Sequence, residues 1–242
     1  LHFWLPRTYA HTSTPVAALF AIMTKVGIYS IWRVHTAVFG EFGGELANIA
    51  ISWLWPLALA TLVAGIIALL ASQTLKMLAA NLVVVSAGSL LLTIALNTPQ
   101  ATAAGLYYLI HSTLMAAALF LIAGLVHEQR GQAQDRFVRS RPVNQPALLG
   151  GLFFIAALAL IGMPPLSGFV GKIMLLQAAG AGADAAWIWP PLLISGLAAL
   201  IMFSRAGTTL FWRVQGTSQN QVMAHPLQIT AIIVLLLTSP LM

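Results

Sequence analysis

Lys25 in PVAALFAIMTKVGIYSIW and Lys172 in IGMPPLSGFVGKIMLLQ each stand alone in a long apolar run. A charge at the centre of a lipid bilayer costs at least about 2.5–3.5 kcal/mol, so lysines in such runs are candidates for an ion or proton path. Withdrawing water from a lysine favours its neutral amine, and an amine able to change protonation state can take up and release protons. Lys25 follows Pro15 by ten residues, about 15 Å along a helix and too deep to snorkel comfortably. His111 in LYYLIHSTLMAAALFLIAGL adds a side chain type suited to passing protons between the two lysines, although a lone histidine on an apolar helix also serves as a packing residue. Hydroxyls at Thr24, Ser86, Ser89, Ser112, Thr113 and Ser167 would hold water between these points or make ordinary helix contacts. His2, His11, His127 and His225 fall in loops or at span ends, where solvation is the default.

These residues sit in a chain with 60% hydrophobic and 7% charged side chains, which excludes a soluble globule with a polar skin. The medium is a lipid bilayer. Eleven Lys and Arg against five Asp and Glu would suggest nucleic acid in a soluble protein; here they report which membrane face is basic, and no nucleic-acid partner is expected. Without cysteine there is no disulfide framework, thiolate metal site or thiol catalysis. Dinucleotide, phosphate-loop, zinc-protease and haem-attachment motifs are absent as well, and His111 has no second deep histidine to complete a haem pair. No metal or cofactor is expected.

The fold class expected is all-α: a polytopic membrane helix bundle of about seven spans, because lipid-exposed backbone must be paired internally. Stretches of roughly 20 apolar residues fall at 15–34, 53–72, 77–96, 106–126, 147–178, 189–212 and 226–242, forming a single membrane domain over 1–242. On this map Arg7, Lys76, Arg130, Arg136, Arg139, Arg141, Arg205 and Arg213 collect on one side, which is therefore cytoplasmic, and Arg33 alone lies on the other. Glu41, Glu45 and Asp184 fall outside. The segment HEQRGQAQDRFVRSRPVNQP reads as a solvated basic connection beside anionic lipid. The chain begins at Leu1, and an apolar run is still going at Met242, so both ends are expected to lie inside a longer protein.

The stretch 147–178 is too long for one span, since 32 helical residues measure about 48 Å. Gly162, Pro164 and Pro165 account for the excess, because prolines remove amide donors and push the preceding residue out of the helical region. A discontinuous helix is expected there. Such breaks at membrane depth line cavities in transporters, and Lys172, two turns on, would share a polar pocket with the carbonyls freed near Gly162. The alternative is a packing kink with a snorkelling lysine.

LHFWLPRTYAHTSTPVAALFAIMTKVGIYSIWR resembles the H-x-W-L-P segment and lysine helix of the antiporter-like membrane subunits shared by respiratory complex I and the multisubunit cation/proton antiporters. LYYLIHSTLMAAALFLIAGL is similar to the family's histidine helix, PPLSGFVGK to its second broken helix, and SRAGTTLFW to the D-type subunits of the Mrp and Pha antiporters. The resemblance covers essentially the whole chain but only the C-terminal half of a family member. It implies the eighth through fourteenth helices of fourteen. It also implies Lys25 as the central relay lysine, His111 as the channel histidine and Lys172 as the terminal ionisable residue, where the M subunit of complex I has glutamate. Three positions depart from the pattern. Met115 and Ala116 stand where many relatives carry a lysine, so the relay between the lysines would rest on His111 and water. Thr74 stands where an acid often precedes the Lys76 position, and Arg7 where an acid often follows W-L-P.

By the same resemblance the chain would be a proton-translocating component of a monovalent cation/proton antiporter in the bacterial inner membrane, part of a transporter and not an enzyme. Its partners would be other membrane subunits, protons and sodium or potassium; no carboxylate or carbonyl cage in this stretch selects between the two cations. The first broken helix and a paired glutamate would precede Leu1. Two alternatives stand beside this reading: the proton-pumping arm of a quinone oxidoreductase or membrane hydrogenase, and a scaffold component whose deep lysines are relics.

Overall fold

The computed structural model describes residues 4–40, 50–180, 185–216 and 223–239. Glu41, Glu45, Asp184, His2 and the last residues of the final expected span lie outside them. Every regular element among the described residues is helical: α1 (Leu5–His11), α2 (Thr14–Val38), α3 (Ile51–Leu70), α4 (Leu75–Leu96), α5 (Pro99–Gln129), α6 (Pro146–Ile161), α7 (Ser167–Ala178), α8 (Ala185–Gly207) and α9 (Pro226–Thr238). Among the described residues, α2, α3, α4, α5 and α8 with its continuation are long and apolar enough to cross a membrane, and α6 and α9 are shorter apolar helices.

Local chemistry sets the ends of these helices. Thr74 and Thr98 cap α4 and α5, each side chain accepting from the backbone amide three residues on at 3.1 Å. Pro99 then occupies the first turn of α5, where its missing N–H costs nothing. This cap starts α5 seven residues before the expected Leu106. His111 accordingly lies about 18 Å into the helix, not the 7 to 8 Å that a start at Leu106 implies. Within the polar NTPQAT run, Asn97 ends α4 in the left-handed region, Thr98 is the cap and Pro99–Thr102 form the first turn of α5. At the far end of α8, Thr208–Trp212 wind as a π-helix.

The centre of the bundle is α4, buried along almost its whole length. Its neighbour α3 comes so close that a Cβ on Gly88 would lie 2.7 Å from the Leu62 amide nitrogen. Without a hydrophobic drive between helices in lipid, such small-residue contacts supply the van der Waals packing that holds spans together. Elements α2, α5 and α8 also pack on α4.

The segment between α5 and α6 is solvated at Arg136, Arg139 and Arg141, as expected, but not at Arg130. Arg130 is buried, and its guanidinium donates to the carbonyls of Gln134, Arg136 and Val138 at 3.0, 2.8 and 2.7 Å. Burial lowers the pKa of this guanidinium from its ordinary value, and the nearby Asp135 carboxylate opposes that shift. Thr74 and Arg136 pair as an isolated antiparallel bridge, and Asp135 accepts from the amide of Lys76 at 2.8 Å. Lys76, expected in a loop, is buried in the first turn of α4. Arg205, donating to Gln73 at 3.3 Å, ties α8 to the same end. The convergence has a physical reason: a fork of donors satisfies carbonyls that a tight turn leaves unpaired, so the basic segment folds back against the α3–α4 turn.

Candidate functional site

The expected break in the long helix lies between α6 and α7, across residues 162–166. Gly162 ends α6 at φ +83°, in the left-handed region where a side chain is strained, and the Pro164–Pro165 bond is cis. The turn frees carbonyls at the end of α6, and Lys172 uses one: its Nζ donates to the Ile161 carbonyl oxygen at 2.6 Å. Lys172 thus faces back across the gap toward α6. Gly196 on α8 makes room for it, since a Cβ there would lie 3.2 Å from Nζ.

Lys25 is fully buried within α2, and its Nζ donates to the hydroxyl of Ser86 on α4. Ser86 in turn donates to its own Val83 carbonyl at 2.8 Å. No acidic side chain pairs with Lys25 among the described residues. The hydroxyl is a neutral acceptor, so it satisfies a donor of the lysine without cancelling its charge.

His111, deep in α5, is buried and holds Ser167 at 2.9 Å and Ser239 at 2.8 Å through Nδ1, with the two hydroxyls 2.6 Å from each other. Its Nε2 faces the opposite way, 2.9 Å from where a Cβ on Gly168 would sit. That same Cβ would collide with the Ala159 carbonyl oxygen, so only glycine lets α7 start this close to α6. The histidine therefore tethers α5, α7 and the end of α9.

Three cavities bear on these groups. A small one of about 20 Å³ is bounded by Ser86, Tyr108, Ser112, Ala116, Lys172 and Ser195, among others; His111 is not part of its wall. A second, of about 240 Å³, lies between the α2 and α4 N-termini and the α5 C-terminus, with Thr14, Lys76, His127 and Glu128 on its walls. His127 Nδ1 there is 3.3 Å from Asp135. A third, apolar groove of about 810 Å³ runs between α6 and α8.

The structure brings Ser86, Lys172 and Ser112 to one cavity and gives His111 its own hydroxyl partners. Ser167 joins the histidine, whereas Thr113 and Ser89 bond back to carbonyls of their own helices and Thr24 meets Tyr9 on α1. The residue pattern alone does not single out Tyr108, Ser195 or Ser239, although Tyr108 precedes His111 by one helical turn. It passes over His35 as well, which continues the buried stripe Lys25, Ile28, Trp32 of α2 with both ring nitrogens buried and unpartnered among the described residues. The periodicity of that stripe is the available signal.

A family model described as NADH:quinone oxidoreductase/Mrp antiporter, transmembrane, matches residues 1–200. The D component of a probable K(+)/H(+) antiporter of Rhizobium meliloti is 37% identical over 265 residues, covering 98% of this chain and 49% of that protein. The D component of the Na(+)/H(+) antiporter of Bacillus subtilis is 36% identical over 214 residues, covering 88% and 42% respectively. Among solved structures, the Mrp complex from Dietzia sp. DQ12-45-1b contains a chain with TM-score 0.74 and 27% identity, covering 93% of this chain and 41% of that one. The chain spans about half the length of the relatives it matches.

Proposed function

The chain belongs to the NADH:quinone oxidoreductase/Mrp antiporter membrane family, and from that premise we propose that it moves protons through buried lysines as part of a cation/proton antiporter. In this reading it is the C-terminal portion of a D-type subunit, a multi-pass protein of the bacterial inner membrane working within a hetero-oligomer. It acts as a transporter component and not as an enzyme on its own. The observation that carries the reading is Lys25, wholly buried at mid-helix with a hydroxyl and no acid as its partner among the described residues. A permanently charged structural lysine is normally paired with an acid; one held by a neutral acceptor is free to exchange its proton.

Lys25, His111 and Lys172 are the proton-handling groups in this account. Lys172, held by a free carbonyl at the helix break, is the terminal exchange point, and the break supplies the polar lining that lets it alternate between charged and neutral. His111 with Ser167 and Ser239 forms a polar branch that senses the helix break. The cation is sodium or potassium; the Rhizobium and Bacillus relatives carry names for one each. Those names favour antiport over redox-driven pumping.

The test is proton flux in vesicles containing the complete antiporter. Lys172→Ala should lower cation-driven proton flux at least tenfold with the complex still assembled. Normal flux would remove the lysine from the path.

A further inference from the structure

At the basic end of the bundle, the segment between α5 and α6 and the chain just past α8 enclose a polar cavity of about 650 Å³. Arg130 and Arg141 stand on its wall with Gln132, Ser140 and Gln215, and among the described residues no acid does. Arg130 is only 5% exposed: its terminal nitrogens go to three carbonyls, while its buried Nε has no partner among the described residues. Carbonyls satisfy donors without cancelling the charge. Asp135 offsets part of that charge, but it is turned to the Lys76 amide and His127 and forms no part of the wall. Arg139 and Arg213, each two residues from a member of the wall, are exposed. The cavity thus offers donors and positive charge to an anion.

The surroundings of the cavity decide which anion. The Gln215 amide donates to the Ser140 carbonyl at 3.0 Å, which joins the cavity wall to the chain three residues past Trp212. Trp212 and Pro146 line the near end of the apolar groove of about 810 Å³, which follows α6 as far as Ile161 and Met163. With 16 residues, α6 measures about 24 Å, enough to cross the roughly 15 Å of hydrocarbon in one leaflet. Phe153, packed on Phe203 and Phe211, lines the groove, and Gly151 leaves it open, since a Cβ there would meet nothing within 4 Å. Trp212 is 76% exposed, as suits a side chain at the level of the lipid headgroups. A basic cavity at headgroup level beside an apolar groove reaching into the hydrocarbon matches the order of parts in an anionic phospholipid.

We propose that this face binds one anionic phospholipid from the leaflet on the basic side, its phosphate in the cavity walled by Arg130 and Arg141 and an acyl chain along the groove between α6 and α8. Arg141 is the arm that donates to the phosphate oxygens, and Arg130, fixed by its carbonyls, shapes the cavity and adds its charge. Selection follows from the arginines: a zwitterionic headgroup brings a cation of its own beside them, whereas phosphatidylglycerol brings only the phosphate charge. The groove contributes apolar contact without regard to the headgroup. The site is independent of which residues carry protons.

The complete complex in detergent supplies the test, with a phosphatidylglycerol probe bearing a photoreactive diazirine on its acyl chain and cross-links mapped to peptides. Cross-links should fall within 146–163 and 200–212, and unlabelled phosphatidylglycerol should displace the probe at a concentration at least fivefold lower than phosphatidylcholine does. Arg141→Gln should lower cross-linking at least fivefold and remove the preference between the two lipids, and Arg141→Lys, which keeps the charge, should retain that preference. Gly151→Leu places a side chain into the open groove and should weaken both lipids alike while the preference survives. Assembly of each variant is checked by co-purification, and should Gly151→Leu fail to assemble, the two Arg141 variants decide the matter alone. Equal displacement by the two lipids, or an unchanged preference in Arg141→Gln, would overturn the headgroup site. Displacement by inorganic phosphate as effective as by phosphatidylglycerol would make the cavity a site for a soluble anion and overturn the lipid. An absence of cross-links in the groove of the intact complex would mean that a neighbouring subunit covers it, which also overturns the proposal.

Discussion

The Nζ of Lys172 donates to the Ile161 carbonyl oxygen across the break between α6 and α7, at 2.6 Å. In a continuous helix that carbonyl would be taken by an amide four residues on, so the break supplies the acceptor and the lysine is the group that takes it. A charged side chain and a chain interruption, each costly alone in a membrane, offset one another here.

Gly162 is the residue on which that arrangement turns. Gly162→Ala would place a Cβ 2.9 Å from Lys172 Cδ while forcing alanine to a φ of +83°. The backbone strain is worth about 1–2 kcal/mol, and the lysine must shift. Thermal unfolding of the detergent-solubilised complex should show lower stability, accompanied by reduced proton flux; unchanged values in both would show that the break tolerates a side chain.

Gly168 carries a second, sharper constraint. Gly168→Ala brings a Cβ into collision with the Ala159 carbonyl and close to His111 Nε2. Overpacking of this kind costs about 1–3 kcal/mol. Adding the single methyl should lower the melting temperature of the complex more than the same change at Gly151, which has open space around it. Equal effects at the two positions would contradict the packing described.

Arg130 tests the end of the bundle away from the break. Arg130→Ala leaves the carbonyls of Gln134, Arg136 and Val138 without their donor. Hydrogen bonds to a charged group contribute about 1.5–3 kcal/mol each at most, so amide exchange across residues 131–140 should accelerate at least tenfold. Arg130→Lys should recover little, because a single ammonium cannot reproduce the planar fork. Unchanged exchange in the alanine variant would mean that other contacts hold the segment.

Much of this is legible in the residues. The double proline announces the helix break, and the spacing from it to Lys172 announces a shared pocket, because both depend on chain-local rules. The start of α5 is equally local: Thr98 followed by Pro99 is a cap and first turn, but the polar residues beside it favour a loop when weighed by type. Arg130 and Lys76 mislead for another reason. Positive side chains read as solvated by type, whereas the carbonyls that bury Arg130 come together only once the segment has turned back on itself. Ser239 lies 128 residues from His111 and Ser86 lies 61 from Lys25; no periodicity within one helix links such pairs. The small cavity beside Ser86 and Lys172 is less legible still, since it is bounded by α4, α5, α6, α7 and α8 together.

The central claim is that Lys25 carries protons. Cation-driven proton flux through vesicles holding the complete complex, compared between the native protein and Lys25→Met, tests it most directly, since methionine keeps the length and apolar stem of the lysine without an exchangeable proton. The account predicts flux below one tenth of native with the complex fully assembled. Native flux in the assembled variant would contradict it.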